Sequence, residues 1–211
     1  MSNPYQPPTP YGEPYPAQPY AEPLPALYAG RLSAPTGLAA ATITLAVVLT
    51  LLQLATTALQ LTTNDVEDDR IPVLLALGLT AVLTSPALVA AWVVTAWWLH
   101  VCRSNVDQIG PPMTHARSPV WVWLGWVVPV VSFWFPYQLV RDVQDAGRRE
   151  RRATPLGLWW TGWIVYLVFS QPDSSAVAAV IASAGLLTAL VPWILLVRRL
   201  TEDQRRLVQL R

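Results

Sequence analysis

The sequence predicts an all-α integral membrane protein with four transmembrane helices, a Pro-interrupted fifth apolar segment, re-entrant or kinked, and a disordered Pro/Tyr-rich N-terminal tail. Three observations carry this prediction. Of the 211 residues, 53% are hydrophobic and only 13% charged, against about 25% charged in an ordinary globular chain. The charges gather between long apolar runs. The basic residues, all of them arginine, fall almost entirely on one side once those runs are threaded through a bilayer.

Residues 1–32 are expected to be a cytoplasmic tail. The stretch "MSNPYQPPTPYGEPYPAQPYAEPLPALYAG" repeats Pro-Tyr at Tyr5, Tyr11, Tyr15 and Tyr20 and has nothing with which to build a core. Such composition stays extended, with local polyproline II character. It is either a plain solvated leader or a segment for docking and self-association. It lacks the basic start and short apolar core of a secretory signal, so the first apolar run is expected to remain as an anchor.

The membrane domain is expected over 33–200, with spans at about 38–61, 71–99, 155–171 and 174–197. Span one gives about 36 Å of helix against a hydrocarbon core of about 30 Å. Its Gln53, Thr57 and Gln60 share one face, which should point into the bundle because polar side chains avoid lipid. The acidic stretch "TNDVEDDR" separates it from span two, which ends in "WVVTAWWLH", with Trp92, Trp97 and Trp98 suited to an interface. Thr154 and Pro155 fit the start of a short third span. In the last span Ser175, Ala179 and Ser183 have the small-residue spacing that lets helices approach closely. Residues 201–211 should continue it as a cytoplasmic helical extension, with Glu202 able to pair with Arg206.

Segment 118–136 lies in "SPVWVWLGWVVPVVSFWFPYQ", uncharged and broken at Pro129 and Pro136. If it crosses, Arg31, Arg103 and Arg117 are left outside. If it dips in and returns, only Arg70 is external and both termini are cytoplasmic. Geometry favours the return. Ser118 can cap a helix beginning at Pro119, but Pro129 limits that arm to about ten residues, or about 15 Å. Pro136 then restarts an amphipathic interfacial helix, with Leu139, Val140, Val143 and Ala146 on one face and Gly147 as its C-cap. The alternative is a Pro-kinked full crossing.

Catalytic, cofactor and metal sites are not predicted. His100 and Cys102 point apart on a helix, and with His115 they offer no complete ligand set. No phosphate loop, nucleophile elbow or HExxH occurs in the sequence. The single cysteine excludes an internal disulfide. Basic residues follow membrane edges without an aromatic groove, which disfavours nucleic acid as a partner. Arg148, Arg149, Arg151 and Arg152 are assigned to anionic lipid headgroups instead.

The ordered set Trp98, Arg103, Asn105, then Ser118, Pro119, Trp121, Trp126 and Pro129, then Pro136, Tyr137 and Gln138 resembles a family of actinobacterial membrane proteins catalogued as domain of unknown function 4328. The resemblance covers roughly residues 38–200. It implies a four-span module, often behind a Pro-rich cytosolic leader, and no reaction.

The function expected is therefore non-enzymatic: a multi-pass scaffold or partner-recruiting module of the cell membrane. Its partners would be membrane lipids, a cytosolic protein met through the tail, and further copies of the chain. The alternative is a small transporter or channel component using segment 118–136. The functional surface should lie where that segment meets the loop carrying Arg103 and Asn105, with Arg103 holding either freed carbonyls or a lipid phosphate.

Overall fold

The computed structural model describes residues 32–63, 70–109, 117–147, 155–171 and 175–209, and divides the chain into units 1–32 and 33–211. The tail assigned to residues 1–32, apart from Leu32, lies outside the described residues, as does the cluster Arg148, Arg149, Arg151 and Arg152. The described chain is all helical: α1 (Thr36–Thr63), α2 (Arg70–Ile109), α3 (Trp121–Leu124), a 3₁₀ turn (Val131–Phe133), α4 (Phe135–Gly147), α5 (Leu156–Phe169) and α6 (Ala176–Gln209).

Three helices, α1, α2 and α6, are long and apolar enough to cross a bilayer. At 14 residues, α5 is shorter. Its first turn is preceded by Pro155, and that cap makes no side-chain hydrogen bond. The capping role expected of Thr154 falls outside the described residues.

One helix outruns the span expected for it. After Leu99 nothing stops α2 until the Gly110-Pro111-Pro112 sequence, and the added turns bury Cys102 and Val106 against the bundle. Arg103 and Asn105 therefore sit on α2, not on a loop. Helix α6 itself runs to Gln209, burying Leu200, Thr201 and Gln204. Trp98, expected at an interface, is fully buried and donates from Nε1 to Thr201 Oγ1 at 3.1 Å. Its neighbour Trp97 is exposed. Successive helical positions differ by about 100°, so the two indoles leave the helix in different directions.

The helices meet through small and polar residues. Thr57 Oγ1 on α1 lies 2.9 Å from Ser183 Oγ and donates to Ala179 O at 3.4 Å. Ala179 and Ser183, two of the three small residues spaced for close approach, thus receive α1. The α5–α6 contact is closer still, because Gly162 faces Gly185: a Cβ on Gly162 would stand 2.5 Å from Gly185 O and 2.8 Å from Ala189 N. The start of α1 meets the far ends of α2 and α6, so α1 runs opposite to both.

The helical arm expected after Pro119 is a single turn. α3 stops at Leu124, and Gly125 N donates back to Trp121 O. Ser118 contributes its carbonyl, which accepts from Trp121 N at 3.1 Å, and the α3 cap makes no side-chain hydrogen bond. Beyond Gly125 come Val127, Val128, Pro129, Val130 and Val131, where β-branching and the missing proline N–H oppose a helix. The chain reverses there in a γ-turn. Val130 has φ 67° and ψ −53°, and Val131 N donates to Pro129 O at 2.7 Å.

A β-branched residue in that conformation is strained by about 1 kcal/mol or more. Val130→Gly is thus expected to raise unfolding stability by about 1 kcal/mol in detergent, whereas Val130→Ala, which keeps a Cβ, should give little. Equal stabilities for valine and glycine at this position would show that the turn is unstrained.

The amphipathic helix expected after Pro136 forms as α4, ending at Gly147. Its apolar face is covered by the chain itself: Leu139, Val140 and Val143 are buried, packed against α2 and α6, while Arg141 and Asp145 face outward.

Candidate functional site

Arg103 and Asn105 lie at the end of the bundle where α2 and α6 finish and α1 begins. Arg103, only 7% exposed, donates from Nη2 to the main-chain carbonyl of Arg117 at 2.7 Å. Its Nε lies 3.9 Å from Asp107, too long for a hydrogen bond. Arg117 in turn donates from Nε to Gln138 Oε1 at 3.2 Å and lays its guanidinium on the Phe135 ring at 4.3 Å. The Trp121 and Phe135 rings meet edge to face at 4.7 Å. The two ends of segment 118–136 are therefore side by side, with Arg103 fastening the first of them to α2.

Asn105 does different work. Its Nδ2 donates to Ser33 O at 2.9 Å and to Gln204 Oε1 at 2.8 Å, joining the root of α1 to α6. Gln204 is fully buried, and its Nε2 has no hydrogen-bond partner among the described residues. Arg103 and Asn105 lie two positions apart on α2 and face different neighbours, as helical geometry requires. The expected surface shared by both residues is thus divided: Arg103 meets the segment, and Asn105 braces the helix ends.

An aromatic cluster joins α2, α5, α6 and segment 118–136. Trp159 stacks on Trp193 at 4.8 Å, Trp98 meets Trp193 at 6.1 Å, and Trp126 touches both Trp159 and Trp193. Such pairs add about 0.5–1.5 kcal/mol each beyond area burial. Trp126 hangs from the loop after α3 and so pins segment 118–136 to α5 and α6, while Tyr137 reaches Trp160 at 6.0 Å. Ser118, Pro119 and Pro129 are exposed, whereas Pro136 is buried at the start of α4.

The His100 ring lies 6.3 Å from that of Trp123, Cys102 is buried, and His115 is outside the described residues. Among the described residues, no three His, Cys, Asp or Glu side chains stand together as a metal site.

Sequence reasoning passed over Gln204, Thr201, Trp193 and Arg117. The signal for the α6 residues was present: Trp193, Val197, Leu200 and Gln204 recur at spacings of four and three, so the glutamine shares the buried face. No local pattern marks Arg117, whose partners are Arg103 and Gln138.

An all-helical chain with three helices long and apolar enough to span a bilayer has the build of an integral membrane protein. Residues 73–172 match the family model described as Domain of unknown function (DUF4328). The match runs from α2 through segment 118–136 and α4 to just past α5, narrower than the resemblance over 38–200. No curated protein and no solved structure matches the chain.

Proposed function

We propose that this protein is a non-enzymatic scaffold of the cytoplasmic membrane: a four-span bundle with a re-entrant hairpin at 118–136, both termini in the cytoplasm, and a Pro/Tyr-rich tail that recruits a cytosolic partner. The observation that carries this reading is the meeting of the hairpin's two ends, where Arg117 contacts both Gln138 and Phe135. A segment that crossed the membrane would have to part them by about 30 Å.

Three further features support it. The starting end of α1 and the finishing end of α6 share Asn105, as expected for termini on one face. The short α5 is held against α6 by glycines, which suits a helix that crosses as half of a hairpin. The polar side chains Arg103, Asn105 and Thr57 are spent on joining elements, as a scaffold requires.

Cysteines placed along 119–136, in a background lacking Cys102, should label from the cytoplasmic side near both ends and resist labelling around Pro129. Labelling of one end only from outside the cell would sink the hairpin and favour the transporter or channel reading. In native membranes, cross-linking should capture a cytosolic partner with the full chain but not after deletion of residues 2–30. Capture that persists after the deletion would remove the tail from the recruiting role.

A further inference from the structure

We infer that Arg117 and the outer side of the hairpin form a binding site for an anionic phospholipid, with the guanidinium taking the headgroup phosphate and the hairpin lying along the acyl chains. The inference rests on the hairpin reading above.

Arg117 is held on three sides. Its carbonyl is fixed by Arg103, its Nε by Gln138, and its planar face by Phe135. A free arginine side chain forfeits about 2 kcal/mol of rotamer entropy when ordered, and here that ordering precedes any ligand. Gln138 takes the Nε edge, which leaves the Nη1/Nη2 edge, one of the two that can hold a phosphate through paired N–H donors. Among the described residues, nothing accepts a hydrogen bond from Nη1 or Nη2, and no carboxylate pairs with Arg117. The Asp107 carboxylate lies 3.9 Å from Arg103 Nε. Arg117 is thus an ordered cation whose Nη1/Nη2 edge meets no acceptor among the described residues.

The surroundings favour a lipid over a soluble anion or an acidic peptide. Val120, Leu124, Val127, Val130, Phe133 and Trp134 are all exposed along the hairpin that starts at Arg117. A phosphate with two long apolar chains matches that combination of one cation at the root and an apolar strip beyond it. Arg103 is a positioning residue here, since its Nη2 holds the Arg117 backbone.

The test is native mass spectrometry of the full chain in detergent, titrated with phosphatidylglycerol and, separately, phosphatidylcholine. The wild type should hold phosphatidylglycerol more tightly. Arg117→Gln should weaken it about fivefold and leave phosphatidylcholine unchanged, while Arg117→Lys should fall between. An unchanged phosphatidylglycerol affinity in a folded Arg117→Gln protein would overturn the site. So would displacement of the lipid by millimolar inorganic phosphate or by an acidic peptide, either of which would assign the edge to a soluble ligand. Labelling of Val130→Cys by a water-soluble maleimide separates the two readings. A protected cysteine with an unaffected Arg117→Gln defeats the lipid site alone, whereas a reactive cysteine defeats the membrane hairpin and the site with it.

Discussion

Gly162→Ala should destabilise the bundle by about 2 kcal/mol, and Gly162→Leu should part α5 from α6. The added Cβ would stand 2.5 Å from Gly185 O and 2.8 Å from Ala189 N, both main-chain atoms of a long helix that cannot swing aside as a side chain can. Gly185 is constrained in return, since a Cβ there would lie 2.9 Å from Gly162 O and 2.8 Å from Val165 Cγ1. Forcing these helices apart also opens the Trp159–Trp193 stack one turn away, on which Trp126 and the hairpin depend. The loss should therefore appear in both thermal unfolding and tryptophan emission in detergent. Gly157→Ala is the matched control, because a Cβ there meets nothing within 4 Å. If the Gly162 and Gly157 substitutions have equal effects, the close approach of α5 and α6 is wrong.

Asn105→Leu is expected to lower stability by about 2–4 kcal/mol. The side chain is 3% exposed and makes two hydrogen bonds, so its loss leaves Ser33 O and the fully buried Gln204 Oε1 without their donor. Unsatisfied buried groups are what makes such a change severe, and that gives the prediction a second, sharper form. Pairing Asn105→Leu with Gln204→Leu replaces both partners by apolar groups of similar size and should recover most of the loss, with Ser33 O the only group left wanting. Equilibrium unfolding of the two single variants and the double variant forms the cycle that measures this. Strictly additive losses would mean that Asn105 and Gln204 are not coupled.

The long apolar helices were legible because each carries its own evidence: α1, α2 and α6 each contain an apolar run with hardly a charge that is long enough for a bilayer. Helix α4 was legible for a similar reason, since Leu139, Val140 and Val143 repeat at helical spacing after Pro136. The extent of α2 is not legible from hydropathy, which fades at His100, while the helix continues on the strength of packing by Cys102 and Val106. The arm after Pro119 was overestimated because Trp, Val and Leu suit several conformations, and the Gly125 bend and the γ-turn at Val130 are chosen by what the segment packs against.

What the sequence by itself determined is where the long apolar helices and α4 lie, because hydropathy, helical period and proline act within a few residues of one another. Only the tertiary structure decided which polar residues pair. Arg103 reaches a carbonyl fourteen positions away, Asn105 reaches across to Ser33 and Gln204, and Gly162 finds Gly185 on the neighbouring helix. Every polar side chain on an apolar helix needs some partner, but its identity depends on which helices lie side by side, and no spacing along the chain encodes that.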